Sequence, residues 1–258
     1  MNTLSRDERS VSDVVGYVLI FSLVTSTVAI VTVTGLGSLR DVRDAQQISN
    51  AERAFDVLAD NLADVHQDGA PSRSTELSLE EARADTATTI TVNVSWQDTP
   101  RPRTHSTYTV NPIVWEASRE SETQIVYELG AVLRDEPGEG GLVIREPPFV
   151  LEQDRLILPI VRTWTDQGQS FGGNVIRVRG RSTQSSVVNT STEGDYDVLW
   201  LNITSPRADV WQEYLEPKSV TDQCLLEDTP DGDKVACEFV TPEEVYITGQ
   251  QIRVTLDP

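Results

Sequence analysis

Lysine is almost missing from this chain. Lys218 and Lys234 stand beside nineteen arginines and against 41 acidic residues, for a formal charge of −20 over 258 residues. That balance excludes nucleic acid as a partner class, because its binding needs basic patches that neutralise phosphates. Anionic lipid gains no special attraction from such a surface either. Histidine occurs twice, as His66 and His105, and cysteine twice, as Cys224 and Cys237. Two cysteines with both histidines far away in sequence fall short of a structural zinc set. No H-E-x-x-H, phosphate-binding P-loop or dinucleotide fingerprint is present. The absence with the widest consequence is local: residues 14–39 contain no charged side chain.

Those 26 positions reach about 39 Å as a helix, enough to cross a hydrocarbon core of roughly 30 Å with some tilt. Arg6, Asp7, Glu8 and Arg9 crowd the near side, and Arg40 and Asp41 close the far side. A removable secretory signal has an apolar core of about 7–15 residues and then an A-x-A-like site. This run is longer, and no such site follows Leu39. An uncleaved single-pass anchor fits the length.

A second reading comes from the residues before the span. Arg9-Ser10-Val11-Ser12-Asp13-Val14-Val15-Gly16-Tyr17-Val18-Leu19 resembles the start of archaeal, especially haloarchaeal, type IV pilin-like proteins with a class III signal peptide. In that family a membrane peptidase of the prepilin type removes a short charged leader, and the apolar helix stays on the mature protein. The resemblance implies a cut between Ser10 and Val11, with Asp13 near the new N-terminus. Ser10 departs from the more usual Gly or Ala. The family further implies a non-catalytic subunit held in the membrane and packed with other pilin-like subunits into a filament or related surface assembly. The acidic, lysine-poor composition resembles that of halophilic archaeal proteins, in which salt screens self-repulsion. YELGAVLR at 127–134 and REPPFVLEQDRLILPIVR at 145–162 also resemble segments of uncharacterised haloarchaeal secreted proteins of this kind, which brings no activity with it.

Within the span, Gly16, Gly35 and Gly37 join Ser22, Thr25, Ser26, Thr27, Thr32, Thr34 and Ser38, with Tyr17 near its start. Small and hydroxyl-bearing residues let helices approach and bond across an interface in lipid. The same hydroxyls can instead bond back to their own helix, and both readings stand. Gly35 and Gly37 are expected to loosen the helix near its end. Arginines flank both sides of the span, so charge bias does not orient it. Outward placement of the following domain rests on the resemblance, the cysteine pair and the glycosylation sequons together.

Beyond the span, Val42, Ala45, Ile48, Ala51, Phe55, Leu58, Leu62 and Val65 step by three or four, which predicts an amphipathic helix. Asp68-Gly69-Ala70-Pro71 ends it. Its stripe fits against the chain's own sheet, or against a partner as a short coiled coil. From Ser74 the pattern changes to period two. Strands are expected at 75–79, 88–96, 106–110, 124–130, 141–146, 154–164, 174–183 and 197–204. A short helix is expected at 206–215, capped by Ser205 with Pro206 in its first position. The chain then gives VACEFV, EVYITG and QIRVTL, the last two forming a hairpin candidate around Gly249. Pro147 and Pro148 mark a bend between strands.

Candidate chemistry is sparse. Gly168-Gln169-Ser170-Phe171-Gly172 fits G-x-S-x-G, but a nucleophile elbow needs a helix after it and a later histidine, and both histidines come earlier. Asp228-Thr229-Pro230-Asp231-Gly232-Asp233 could offer carboxylates to calcium, yet it misses the EF-hand spacing and reads as a polar turn. No metal, cofactor or catalytic residue is assigned. Trp96, Trp115, Trp164, Trp200 and Trp211 read as core or sheet-face residues in preference to a sugar platform. Cys224 and Cys237 are expected to form a disulfide if the domain lies outside the cell. Sequons at Asn93, Asn189 and Asn202 are glycosylation candidates under the same condition.

The expected architecture is α+β. It comprises a charged leader at 1–10, a transmembrane and assembly helix at 11–39, an amphipathic extension at 40–70, and a mainly antiparallel, β-sandwich-like extracellular domain at 74–258. The expected function is a single-pass, pilin-like structural subunit, not an enzyme. The alternative is an anchored surface module that binds glycan or protein, and a surface hydrolase is the more distant one.

Overall fold

Helix α1 runs Asp7–His66, through Gly35 and Gly37 without a break. A computed structural model of the chain describes residues 7–80, 82–97, 103–117, 122–136, 138–173, 175–191, 198–240 and 243–258. Contacts divide it into two units, Met1–Gln46 and Gln47–Pro258. From Asp7 onward the first unit is helical, although it is rich in valine, isoleucine and threonine, whose stiff side chains weaken helices in water. In lipid that preference is overridden, because only a helix satisfies its own backbone within one segment.

In the second unit, residues 47–66 of α1 bury Ala51, Phe55, Leu58, Ala59, Leu62 and Val65. At about 1.5–3 kcal/mol for each large side chain, this stripe fixes the helix on its own domain and decides against a separate coiled-coil partner for these residues. Arginines from the sheets meet the acidic flank of the helix. Arg134 reaches Glu52 at 3.4 Å, Arg145 reaches Asp56 at 3.0 Å and Asp60 at 2.6 Å, and Arg73 reaches Asp64 at 2.8 Å. Being half-exposed, each pair contributes about 1 kcal/mol at most.

After the helix come β1 (Ser72–Ser78), β2 (Ala82–Asp85), β3 (Ile90–Gln97), β4 (Thr104–Val110), β5 (Ile113–Ala117), β6 (Gln124–Glu128) and β7 (Ala131–Glu136). Next are β8 (Gly140–Arg145), β9 (Val150–Leu151), β10 (Arg155–Trp164), β11 (Ser170–Gly172), β12 (Val175–Ser191) and β13 (Val198–Thr204). Helix α2 (Ala208–Leu215) precedes β14 (Thr221–Thr229), β15 (Gly232–Phe239) and β16 (Glu244–Asp257). They form three sheets, ordered β1-β12-β16-β10-β9, β11-β2-β5-β6-β7-β8 and β14-β15-β13-β3-β4. Pairing among the described strands is antiparallel except for β10 with β16.

Two cores result. One joins α1 to the first two sheets through Leu77, Trp115, Ile125, Tyr127, Ile176 and Val254; the other joins all three sheets to α2 through Val126, Leu133, Leu158, Leu201 and Trp211. Strand β6 lies between them. Ile125 and Tyr127 enter the first core and Val126 the second, so the strand reads as a continuous apolar run where a half-exposed strand would alternate. Gly180 sets how closely the helix approaches, since a Cβ there would stand 2.3 Å from Leu62 Cδ2.

Three local expectations are corrected. EVYITG and QIRVTL form one strand, β16, in place of a hairpin. Its register with β10 is unbroken from Arg155↔Glu244 to Trp164↔Arg253, while β12 absorbs the irregularity in two bulges. Segment 124–130 is a strand that ends in a two-residue turn, Leu129-Gly130, before β7. Both turn residues have positive φ, 54° and 89°, as a tight hairpin requires. Pro148 packs over the turn, where a Cβ on Gly130 would stand 2.6 Å from the proline ring. Helix α2 begins at Ala208 with Arg207 as N-cap residue and no cap bond from the Arg207 side chain; Ser205 caps the turn before it, its Oγ accepting the Arg207 N–H at 3.2 Å.

Candidate functional site

The apolar part of α1 leaves its large side chains open to solvent, from Val14 and Tyr17 through Phe21, Ile30 and Val33 to Leu39, with Val33 at 72% exposure. Tyr17 and Phe21 stack one turn apart, with ring centroids 6.3 Å from each other. Thr27 donates to the carbonyl of Leu23 at 2.7 Å, Thr34 to that of Ile30 at 2.9 Å and Ser38 to that of Thr34 at 3.2 Å. Those three hydroxyls are satisfied within the helix. Gly16, Gly35 and Gly37 have open space where a Cβ would sit, so they leave shallow places on its surface. By length and composition this helix can cross a membrane. Among the described residues, fourteen large apolar side chains are exposed between Val14 and Leu39, and at about 1.5–3 kcal/mol each their transfer from water is worth tens of kcal/mol. That exceeds the roughly 5–15 kcal/mol that stabilises a typical fold, so the medium around this segment dominates where the protein resides.

The β-rich unit has its own polar centre. Glu128, at the end of β6, has no exposed surface, and Arg207 is 2% exposed. Glu128 Oε2 accepts from Arg207 Nε at 3.0 Å, Arg207 Nη2 at 2.9 Å and Ser205 Oγ at 3.3 Å, and its Oε1 accepts from Trp211 Nε1 at 2.7 Å. Ser205 Oγ in turn accepts the backbone N–H of Arg207 at 3.2 Å. This fully satisfied network pins the start of α2 to the second sheet.

Beside it lies a cleft of about 520 Å³, lined by Gln124, Asp135, Asp209, Glu227, Asp228 and Asp233 among others. Strand pairing explains the convergence. Asp135 lies opposite Gln124 in the β6–β7 ladder, and Asp228 lies opposite Asp233 at the tip of the β14–β15 hairpin. Burial holds the Asp135 carboxyl above its usual range, and the carboxylates of Asp209, Glu128 and Glu136 add to the shift, against a lowering contribution from Arg207.

The remaining sequence candidates fall as follows. Cys224 and Cys237 are disulfide-bonded and lie directly opposite each other on β14 and β15. Asn93 and Asn202 are cross-strand neighbours on β3 and β13, and Asn93 Nδ2 donates to Thr107 at 2.8 Å. Asn189 is in β12, but its side chain lies outside the described residues, as do those of Arg9, Ser10, Val11 and Asp13 in the first turns of α1. Residues 1–6 of the leader also lie outside them. The G-x-S-x-G stretch supplies β11, which is followed by strand β12 and not by the helix an elbow needs.

Trp211 and Trp115 are core residues. Arg103 covers the Trp200 ring at 3.9 Å, and Arg253 lies over Trp164 at 5.5 Å. Among the described residues no three His, Cys, Asp or Glu side chains converge in a metal-holding group. Sequence reading missed the Glu128–Arg207 pair and the burial of Asp135. The signal for Glu128 was its place two residues after Val126 on an inward face.

Neither curated proteins nor solved structures provide a match to the chain. A family model does, over residues 9–255, taking in the apolar helix and nearly all of the β-rich unit. The chain therefore belongs to the family of unknown function DUF7289.

Proposed function

We propose that this protein is a membrane-anchored, pilin-like structural subunit that displays an acidic β-rich domain at the cell surface. The observation that carries the reading is the charge-free, solvent-exposed helical surface of residues 14–39 on a chain whose other unit is a folded polar domain. The open surface at Gly16, Gly35 and Gly37 suits close approach by neighbouring helices, and the Cys224–Cys237 bond suits an oxidising exterior. Arg9, Ser10 and Val11 are the proposed processing site, a prepilin-type peptidase and other pilin-like subunits the proposed partners. Catalysis is no part of the reading.

The test is N-terminal sequencing of the protein from membranes of a haloarchaeal host with and without its prepilin peptidase, together with crosslinking in the bilayer. The mature chain is expected to begin at Val11 only when the peptidase is present, and to crosslink through the helix. A chain that starts beyond Leu39, or one recovered from the cytosol, overturns the proposal. A second reading, an anchored binding module, is favoured by the acidic cleft. It predicts an intact leader and no multimer that depends on the helix.

A further inference from the structure

Strand β12 outruns its neighbour on one side. It is 17 residues long and pairs with β16 as far as Ser191. On its other side β1 covers only Val175–Arg181, and a last backbone bond runs from the Ser182 N–H to the Pro71 carbonyl. From Thr183 to Ser191, roughly 30 Å of extended chain, the outer side of β12 has no strand beside it among the described residues. The side chains from Ser182 to Val187 are exposed, Val187 at 69%. The overhang is nonetheless held in place. Val188 packs on the core that joins α2 to the three sheets, and Thr183 Oγ1 donates to the Gln251 carbonyl at 3.0 Å.

An open edge presents a row of unpaired backbone donors and acceptors, and folded proteins blunt such edges with shortness, proline or charge. Other edges of this fold follow that rule. β9 has two residues and β11 three; β1 carries Arg73 and Glu76, and β14 carries Asp222, Glu227 and Asp228. Between Ser182 and Ser191 there is no proline and no charged side chain. Bulges at Thr183 and Val188 bend the strand there. Between them Gln184–Val187 pairs with Thr248–Gln251 in unbroken register, so a regular stretch of edge is left open at the centre.

We propose that this edge pairs with the same edge of a second copy of the chain, antiparallel about a two-fold axis that passes through Gln184–Val187. Net charge selects the occupant. At −20, two copies repel over most of their surface, so they can close only on a neutral stretch. A basic partner would be drawn to the acidic faces instead. Self-pairing is isologous: each copy fills the other's open edge, and the assembly closes after two. It brings Ser185 and Ser186 of the two copies together, where cross-strand hydroxyl pairs bond, and it covers Val187. The proposal concerns the β-rich unit and does not depend on how the apolar helix is used.

The experiment is disulfide scanning of the full chain in non-ionic detergent, with Gln184→Cys, Ser185→Cys, Ser186→Cys and Val187→Cys made singly and Leu142→Cys, exposed on β8, as control. Mild oxidation is expected to give a covalent dimer that peaks within the run and stays at background in the control. In sedimentation without added cysteines, Val187→Glu should weaken the dimer by roughly ten-fold or more, and Val187→Lys should do the same. Mixing those two variants should restore pairing, a rescue that a folding defect would not give; Ser185→Glu with Ser185→Lys reads the same exchange should the first pair misfold. Added salt should strengthen the native dimer, because it screens repulsion between like-charged copies. The proposal is overturned by a monomer, by a dimer that survives both charge variants without crosslinking at the edge, as one held by the apolar helix would, or by an edge occupied by an unlike strand in place of its own copy.

Discussion

Glu128 receives four donor groups and touches no solvent, which makes its partner hard to remove. In Arg207→Met the carboxylate is left uncompensated, and the expected loss is about 3–5 kcal/mol, read from the urea midpoint. Glu128→Leu combined with Arg207→Met should recover most of that loss, because replacing both charges removes the buried orphan. His66, at the end of α1, titrates in the opposite sense to an ion-paired histidine. Burial lowers its pKa from 6.5 to about 4, only partly opposed by Asp68. The unfolded chain therefore binds more protons between those values, so stability falls as pH drops from 6.5 towards 4 and is regained above. His66→Gln should flatten that slope in urea melts at pH 4.5 and pH 7. Alternation along the strand made the inward direction of Glu128 legible, since it shares a face with Val126. Its partner was not legible, because Arg207 lies 79 residues away.

At the scale of elements, the packing of α1 on the first sheet depends on one missing side chain. Gly180→Ala places a methyl group against Leu62 and Ile252, and the expected cost is about 1–3 kcal/mol from overpacking. A comparison of thermal midpoints with Gly249→Ala, where the nearest atom is a serine hydroxyl at 3.2 Å, checks that the loss is specific to the helix contact. The 3.6-residue period announced this helix and the buried part of its stripe from Ala51 to Val65, although Val42 and Ala45 of the same stripe are exposed; the two-residue period announced most strands. What sequence could not reveal was pairing at long range. A glycine flanked by two β-branched runs looks like a turn until β10, whose Ile160 pairs with Gly249, holds both runs in one register. The start of α2 lies two residues beyond the expected one: Ser205 accepts the Arg207 N–H as a cap does, but residues 206–207 form a turn and the helix opens at Ala208.

For the whole molecule, the division at Gln46 predicts a clean separation of properties. Both cores are assembled without any residue before Ile48. Removal of residues 1–46 should therefore leave a soluble, folded, monodisperse protein by gel filtration and near-ultraviolet circular dichroism, while the full chain should need detergent or lipid. Aggregation of the shortened chain would show that the cores depend on the apolar helix. Strand β16 sets the order in which this protein can mature. It follows every other strand of the three sheets, yet it lies in the interior of its own, between β12 and β10. A ribosome thus delivers the greasy helix long before the piece that lets the head close. Any chain halted short of Glu244 would carry its exposed apolar helix beside a half-built domain that still shows apolar surface, a state that chaperones and proteases are equipped to recognise.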